Sequence, residues 1–176
     1  MTISEILSNI ENLKAGQKIC LSGTIYTARD AAHKRIVDAL NKGVKRPFDL
    51  KNSALYYCGP SPAKPGKIIG SCGPTTSARM DVFTPQLLEA GVKILIGKGA
   101  RSKEVCGSIV KNKAVYFAAT GGAAALLSKT VVKAEIAAFE DLGAEAVYKL
   151  EIKDMPLIVA VDCFGNDIFM RADVNT

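Results

Sequence analysis

The sequence has little of what a metal site needs. Its 176 residues contain one histidine and five cysteines, which stand at positions Cys20, Cys58, Cys72, Cys106 and Cys163. Because no two cysteines form a CxxC pair, neither a zinc site nor a local iron–sulfur motif is predicted. The small, odd number of cysteines also argues against a disulfide framework. We therefore expect reduced and mostly buried thiols in a cytoplasmic protein.

The sequence also lacks a long apolar run. Its longest uncharged stretch, residues 114–128, contains two glycines and falls short of the roughly 20 apolar residues that span a bilayer. Residues 1–14 carry acidic side chains early and show no basic start followed by an apolar run, so no secretory signal is expected. A hydrophobic content of 48% with 23% charged residues is typical of a globular domain.

The formal net charge of +6 is spread along the chain. No arginine-rich arm or aromatic nucleic-acid motif accompanies it, so a nucleic-acid partner is not predicted. A locally basic pocket for a small anionic substrate explains the same balance.

The pattern of helices and strands is mixed. Helices are predicted over residues 3–13, 28–41, 84–90 and 102–111, with a further helix starting within residues 120–127. Strands are predicted over residues 18–25, 54–58, 67–72, 92–96, 114–119, 146–152, 157–162 and 167–171, whereas residues 131–139 stay ambiguous. Threonine at position 84 is expected to cap the helix that follows it. We expect a single α/β domain over residues 1–176, with a mixed sheet or two sheets rather than a purely doubly wound fold.

The most unusual segment is residues 71–80, SCGPTTSARM. If a helix begins near Pro74, its free N–H groups lie beside Thr75 and Thr76 and can bind an anion. Arg79 would share a helix face with Thr75 and add a planar fork that suits a carboxylate. The simpler alternative is that the hydroxyl residues only cap a helix and that the arginine is solvated.

A second segment, Gly97-Lys98-Gly99, follows an apolar strand. Glycines on both sides allow the backbone to approach a ligand closely and aim the lysine. The spacing does not match a phosphate-binding P-loop. The alternative is a plain turn at the end of a strand with a surface lysine.

A third polar cluster, Arg29, Asp30 and His33, lies where a predicted strand meets a predicted helix. An arginine at the positive end of a helix is electrostatically unfavourable, which indicates that it has a partner. A lone histidine is more often structural than a ligand. Arg29, Arg79 and Lys98 all lie at or just after the ends of predicted elements, so together they could hold a small dianion. From the residues alone, the chain is a small-anion-binding α/β domain with an incomplete catalytic set.

These segments resemble the β subunit of class I, iron–sulfur-dependent fumarate hydratase, and the related L(+)-tartrate dehydratase β subunit. The similarity covers residues 13–169 and rests on the motifs TxRDxxH, GPTTSxRM and GKG in that order. YYCGPSPAKPG and FAATGGAAALL favour the fumarate hydratase. The resemblance implies a swivelling β/β/α domain with a mixed sheet. It also implies an α subunit that holds a [4Fe–4S] cluster, with none bound by this chain, in an α2β2 heterotetramer.

The resemblance further implies a hydro-lyase that is active only with its α subunit and that reversibly dehydrates (S)-malate to fumarate. It makes Thr75 the base that abstracts the proton, although a threonine hydroxyl is a poor base and needs activation. The substrate-binding residues it implies are Arg29, Thr76, Arg79 and Lys98.

Several alternatives stay open at this point. The substrate could be L(+)-tartrate, dehydrated to oxaloacetate, or the chain could be a stand-alone carboxylate-binding module. Structural support of Arg29 is the preferred interpretation for Asp30 and His33. Cys72 stands next to the GPTTS segment and could lie close to the pocket.

Overall fold

A computed structural model of the chain describes residues 1–46, 48–119 and 123–170, in which helices and strands alternate. The α-helices of this part are Ile3–Ser8 (α1), Asp30–Asn41 (α2), Thr84–Glu89 (α3), Lys103–Lys111 (α4) and Ala124–Ser128 (α5). The strands are Lys18–Thr27 (β1), Ala54–Tyr56 (β2), Ile94–Gly97 (β3), Val115–Ala118 (β4), Val131–Ala138 (β5) and Val147–Val161 (β6). Short 3₁₀ helices span Ile10–Asn12, Ser77–Met80 and Glu140–Glu145.

The strands form one mixed sheet whose pairing closes into a ring. Their order is β1-β2-β3-β4-β6-β5, and β1 pairs with β6 as well. Strands β1 to β4 run parallel to one another, whereas β6 runs antiparallel to β1, β4 and β5. The first part of β6 pairs with β5 and its last part with β4, which its length of 15 residues allows. The predicted mixed sheet is therefore confirmed.

Alternate residues of each strand enter two separate hydrophobic layers. In β3, Ile94 and Ile96 pack with α1, α5 and the other strands on one side of the sheet. Leu95 packs on the opposite side with residues of α2, α3 and α4, such as Ile36 and Ile109. Because both faces of these strands are buried, a shift of one residue in register would exchange the two layers.

The helices predicted from periodicity are found, with differences at their ends. The helix predicted over residues 102–111 is α4, and Ser102 accepts a hydrogen bond from the Val105 N–H at 3.3 Å as its N-cap. The helix predicted over residues 3–13 is broken at Asn9 into α1 and a 3₁₀ helix. Thr84 is not the cap of α3, because Phe83 occupies that position. None of the described helices has the length and apolar character needed to cross a membrane.

The strand predictions differ from the structure near β6, where the pairing with β1 is irregular. The strands predicted over residues 146–152 and 157–162 are one strand, β6, which continues through Asp154 and Pro156. A register shift between Leu21 and Gly23 of β1 accommodates this irregular part. The ambiguous residues 131–139 contribute β5.

Two further predicted strands are wrong. Residues 67–72 form a loop, and near its end the Ser71 carbonyl accepts a hydrogen bond from the Ser61 N–H at 3.0 Å. No described strand pairs with this segment, so its β propensity has no ladder to join. Of residues 167–171, only Asp167 bridges to β6, through Val161, and residue 171 lies outside the described residues. The helix predicted to begin within residues 120–127 is α5, although residues 120–122 also lie outside the described part.

Candidate functional site

The candidate residues meet at the carboxyl ends of the parallel strands. Arg29 follows the end of β1 by two residues, and Lys98 directly follows β3. The segment that contains Thr75 crosses the same edge, because the Thr75 N–H donates to the Tyr57 carbonyl at 2.6 Å, just beyond β2. Thr76 forms an isolated parallel bridge with Lys98. Carboxyl ends of parallel strands are the usual position of ligand sites in α/β sheets.

Two arginines share one carboxylate at this edge. Arg79 Nη2 lies 2.9 Å from Asp30 Oδ1, and Arg29 Nη2 lies 3.6 Å from Asp30 Oδ2. Arg29 Nη2 also lies 3.6 Å from Glu145 Oε1. The Arg79 side chain is 53% exposed and that of Arg29 is 25% exposed. We call these four residues, Arg29, Asp30, Arg79 and Glu145, the open cluster.

The open cluster contains buried polar atoms that lack hydrogen bonds within the described part of the chain. These atoms are Arg29 Nε and Asp30 Oδ2. Buried polar atoms are almost always hydrogen-bonded, so each exception requires an explanation. The Arg29 side chain is 25% exposed and its two ion pairs are 3.6 Å long, so a bound anion can approach its guanidinium from the open side, which points to a ligand site.

Glu145 explains why Arg29 can stand at the start of a helix. Arg29 is the N-cap residue of α2, but its side chain makes no capping hydrogen bond. The Glu145 carboxylate accepts a hydrogen bond from the Ala31 N–H at 2.9 Å instead. Negative charge is favourable at a helix N-terminus, so Glu145 offsets the arginine. Arg29 thus has the partner that was expected of it. Its ion pairs are with Asp30 and with Glu145, which lies 116 positions away in the sequence.

His33 holds the backbone of Arg29 and is completely buried. Its backbone N–H and its ring Nδ1 both lie within hydrogen-bond distance of the Arg29 carbonyl, at 2.8 and 2.9 Å. Burial lowers the pKa of His33 to about 4, so the ring is neutral and Nδ1 carries the proton that is donated. The ring packs edge-on against Tyr57, with the centroids 5.2 Å apart. These contacts agree with the expected support of Arg29.

The helix expected near Pro74 does not form. The N–H groups of Thr75 and Ser77 donate to the carbonyls of Tyr57 and Lys98, at 2.6 and 2.9 Å, so they are not free to bind an anion. A short 3₁₀ helix begins only at Ser77. Consequently the predicted anion site at a helix N-terminus is wrong. Arg79 does not share an α-helical face with Thr75, and it reaches Asp30 instead.

The two glycines around Lys98 have different roles, close packing at Gly97 and backbone conformation at Gly99. A Cβ atom at Gly97 would lie 2.0 Å from Ser77 Oγ and 2.8 Å from the Tyr57 ring, so only glycine fits there. Gly99 has a φ of 81°, which favours glycine. The expected close backbone approach at Gly97 is present, but it is made by the 3₁₀ helix of the same chain.

A second arginine cluster, centred on Arg101, was not predicted from the sequence. Arg101 Nε donates to Asp81 Oδ1 at 2.8 Å, and its Nη2 donates to Thr84 Oγ1 at 2.8 Å. Its Nη1 donates to the Tyr57 hydroxyl at 3.3 Å, and the guanidinium lies 4.9 Å from the centroid of the Tyr116 ring. We call these residues the sealed cluster. The sequence offers only a weak signal for it, since Asp81 and Arg101 each stand close after a motif.

Burial disfavours the charge of Arg101, but its neighbours outweigh that effect. Burial alone would lower the pKa of Arg101, whereas Tyr57 and Asp81 hold this pKa above its ordinary value. The Thr84 hydroxyl, which accepts from Arg101, in turn donates to the Met80 carbonyl at 2.8 Å. The sealed cluster thus ties α3 and the 3₁₀ helix to the residues that follow β3.

The cysteines are free thiols, and three of the five are buried. Cys58 and Cys72 lie with their sulfur atoms 3.2 Å apart, and the Cys72 carbonyl accepts a hydrogen bond from Tyr56 at 2.7 Å. The hydrogen bond with Cys72 and burial raise the pKa of Cys58 far above its ordinary value, so this thiol stays protonated. Cys72 therefore supports the start of the GPTTS segment from inside the protein.

Within the described residues, the metal-ligating side chains are not grouped as an iron–sulfur cluster requires. Across residues 1–46, 48–119 and 123–170, no group of three or more histidine, cysteine, aspartate or glutamate side chains is placed to hold a metal ion. The thiols of Cys58 and Cys72 contact each other inside the core, where a cluster has no room.

The chain matches a known protein family over nearly its whole length. Residues 1–172 match the family described as the fumarase C-terminus. The chain is 36% identical to the aerobic class I fumarate hydratase of Salmonella typhimurium over 171 residues, which cover 96% of this chain and 30% of that protein. It thus spans about a third of the length of that fumarate hydratase.

The chain matches two shorter relatives over most of their length. The chain is 40% identical to the putative L(+)-tartrate dehydratase subunit beta of Methanocaldococcus jannaschii, over 92% of this chain and 86% of that one. It is 33% identical to the L(+)-tartrate dehydratase subunit beta of Escherichia coli, over 91% of this chain and 81% of that one.

Proposed function

The chain belongs to the fumarase C-terminus family, and from this membership we propose that it is the β subunit of a hydro-lyase. In this proposal an α subunit completes the enzyme, which reversibly dehydrates (S)-malate to fumarate. The coverage of the relatives supports a separate partner. The chain matches at least 81% of two β subunits but only 30% of the Salmonella fumarate hydratase. The missing part of the longer protein would correspond to the α subunit.

The single observation that carries the proposal is the open cluster at the ends of the strands. Arg29 and Arg79 share Asp30, and Arg29 Nε has no hydrogen-bond partner among the described residues. Guanidinium groups suit carboxylates because they donate two parallel hydrogen bonds. With Lys98 and Thr76 at the same edge, three cations and a hydroxyl are available for the two carboxylates of a small substrate.

The chemistry requires a base beside this binding site. Dehydration of malate removes a proton from the carbon next to one carboxylate, and the negative charge that develops must be stabilised. We assign proton removal to Thr75, which is partly buried at the edge of the site. A threonine hydroxyl is a poor base, so Thr75 needs an activating group nearby.

The proposal also covers the cofactor and the assembly. We place the [4Fe–4S] cluster in the α subunit, because the described residues of this chain include no group of three or more side chains arranged to hold a metal ion. When bound there, it supplies a Lewis acid for the leaving hydroxyl. We propose one β-subunit domain over residues 1–176, a swivelling β/β/α arrangement, an α2β2 heterotetramer and a cytoplasmic location.

Reconstitution tests the proposal directly. The chain alone should not turn over malate, and addition of the α subunit, prepared with its cluster under anaerobic conditions, should produce fumarate. Fumarate formation is followed by its ultraviolet absorbance. Full activity of the chain without a partner, or none with the cluster-loaded partner, would overturn the proposal.

L(+)-tartrate is the second candidate substrate, favoured by the 40% identity to the putative tartrate dehydratase subunit. The ratio of kcat/KM for malate to that for L(+)-tartrate in the reconstituted complex decides between them. Titration of malate and fumarate into the chain alone tests the remaining alternative. Tight binding there would indicate a stand-alone carboxylate-binding module.

A further inference from the structure

A continuous chain of hydrogen bonds encloses the backbone of Lys98. The Lys98 N–H donates to Ser77 Oγ at 3.0 Å, and Ser77 Oγ lies 2.9 Å from the Tyr116 hydroxyl. The Tyr116 hydroxyl donates to the Gly99 carbonyl at 2.8 Å. Because Tyr116 donates its proton to Gly99, Ser77 must donate to Tyr116. The three bonds therefore run in one direction, from one side of Lys98 to the other.

The middle of this chain of bonds, between Ser77 and Tyr116, is buried. Ser77 and Tyr116 are both completely buried, and a hydrogen bond in such surroundings is stronger than one in water. Burial raises the pKa of Tyr116, so its hydroxyl keeps the proton that it donates. The Arg101 guanidinium of the sealed cluster lies 4.9 Å from the centroid of the Tyr116 ring and packs it in place.

The same bonds also hold the segment that carries Arg79. The Ser77 N–H donates to the Lys98 carbonyl at 2.9 Å, and Ser77 is the first residue of the 3₁₀ helix Ser77–Met80. Two hydrogen bonds therefore join Ser77 and Lys98. The Lys98 N–H donates to Ser77 Oγ, and the Ser77 N–H donates to the Lys98 carbonyl. Any loosening at Ser77 would move Lys98 and Arg79 together.

We propose that Ser77 and Tyr116 are positioning residues that fix the directions in which Lys98 and Arg79 present their charges. Neither hydroxyl reaches the surface, so neither contacts substrate. The effect on turnover rests on the proposed function, whereas the effect on the backbone of Lys98 does not. A purely space-filling role for Tyr116 is the alternative, because its ring belongs to the hydrophobic layer beside the helices.

Amide hydrogen exchange of the full chain, measured by NMR, separates these two roles. Tyr116→Phe keeps the ring and removes only the hydroxyl, and Ser77→Ala removes the acceptor of the Lys98 N–H. In both variants the Lys98 amide should exchange on the order of tenfold faster, since its acceptor is displaced or lost. The Leu95 amide, within β3, should keep its rate.

Tyr56→Phe is the matched control for this exchange measurement. It removes another buried hydroxyl, which donates to the Cys72 carbonyl at 2.7 Å and takes no part in the hydrogen bonds around Lys98. The Lys98 amide should exchange at the wild-type rate in this variant. An unchanged Lys98 rate in both test variants would overturn the proposal, as would an equal increase at Lys98 and Leu95.

Kinetics of the reconstituted complex provide the functional measurement. Tyr116→Phe should lower kcat/KM for the dicarboxylate on the order of tenfold, mainly through a higher KM, because Lys98 still carries its charge but is less well directed. Faster exchange at Lys98 with unchanged kinetics would contradict the positioning role. If the wild-type complex is inactive, the proposed function fails, and the exchange experiment still decides whether the bonds hold Lys98.

Discussion

The open and sealed clusters lie at the same edge of the sheet and use the same chemistry, but they differ in how completely their polar atoms are bonded. The Arg101 side chain is 0% exposed, and each of its three guanidinium nitrogens donates a hydrogen bond. The Arg79 side chain is 53% exposed, and Arg29 Nε has no partner in the described part of the chain. Complete bonding indicates structural support, whereas incomplete bonding indicates a place for a ligand.

The difference follows from the cost of burying a charge. A buried guanidinium is tolerated only when opposite charge and hydrogen bonds replace the water that it has lost. Asp81 meets this condition for Arg101, and its second oxygen accepts the Ser102 N–H at 2.7 Å, at the start of α4. Asp30 instead lies between two arginines and leaves one of its own oxygens without a hydrogen bond.

The largest expected effect comes from breaking the sealed cluster. Arg101→Met leaves the largely buried Asp81 carboxylate without its ion-pair partner, and Thr84 and Tyr57 without their donor, so the free energy of unfolding should fall by about 3 kcal/mol. Urea unfolding followed by circular dichroism measures it. Lys111→Met is the control, because it breaks the exposed pair with Glu89 and should leave the midpoint unchanged. A wild-type midpoint for the Arg101 variant would contradict a structural role of the sealed cluster.

The open cluster should show the opposite behaviour. Arg79→Ala should lower kcat/KM of the reconstituted complex by about 10²–10³-fold and change the free energy of unfolding by less than about 1 kcal/mol. Arg35→Ala is the matched control, since Arg35 forms an exposed pair with Asp141 outside the site, at 2.6 Å. Its kinetics should equal those of the wild type. A loss of stability in Arg79→Ala without a loss of turnover would contradict a binding role for Arg79 and indicate a structural one.

The smallest expected effect concerns His33, which touches both clusters through Tyr57 and Arg29. Its pKa is about 4 in the folded chain, against an ordinary histidine pKa of 6.5 in the unfolded chain, so the unfolded chain binds more protons between these values. Stability should therefore be complete above pH 6.5 and fall as the pH decreases toward 4. The loss from this residue should reach about 2 kcal/mol near pH 5.

Unfolding experiments at several pH values measure this dependence. His33→Asn keeps an N–H donor for the Arg29 carbonyl but cannot titrate, so its stability should depend less on pH than that of the wild type. Equal pH dependence in both proteins would show that His33 is not the titrating group.

Local patterns were sufficient to predict much of the fold. The Ser102 cap and the apolar spacing that follows it identified α4, and the apolar run before Gly97 identified β3. The predicted strand at residues 67–72 failed because a strand requires a neighbour to pair with, and none is described there. Pairing also explains why β6 is one strand, since β1 continues alongside its irregular middle.

In the candidate site as well, features set by local sequence were predicted and contacts between distant segments were not. Arg29, Arg79 and Lys98 were found because each stands at or just after the end of an element, which is a local property. Arg101 was missed because its partners lie 17 to 44 positions away, at Thr84, Asp81 and Tyr57. No short pattern records contacts of that separation.

The sequence by itself determined which segments are periodic, where the basic residues follow them and how few metal ligands the chain offers. Only the tertiary structure decided the conformation of the GPTTS segment. The N–H groups of Thr75 and Ser77 bond to carbonyls beyond β2 and β3, so they are not free to bind an anion. The sharing of Asp30 by two arginines was decided in the same way. The physical reason is that hydrogen bonds and ion pairs form between groups that the folding of the sheet brings together, and their energy does not depend on sequence separation.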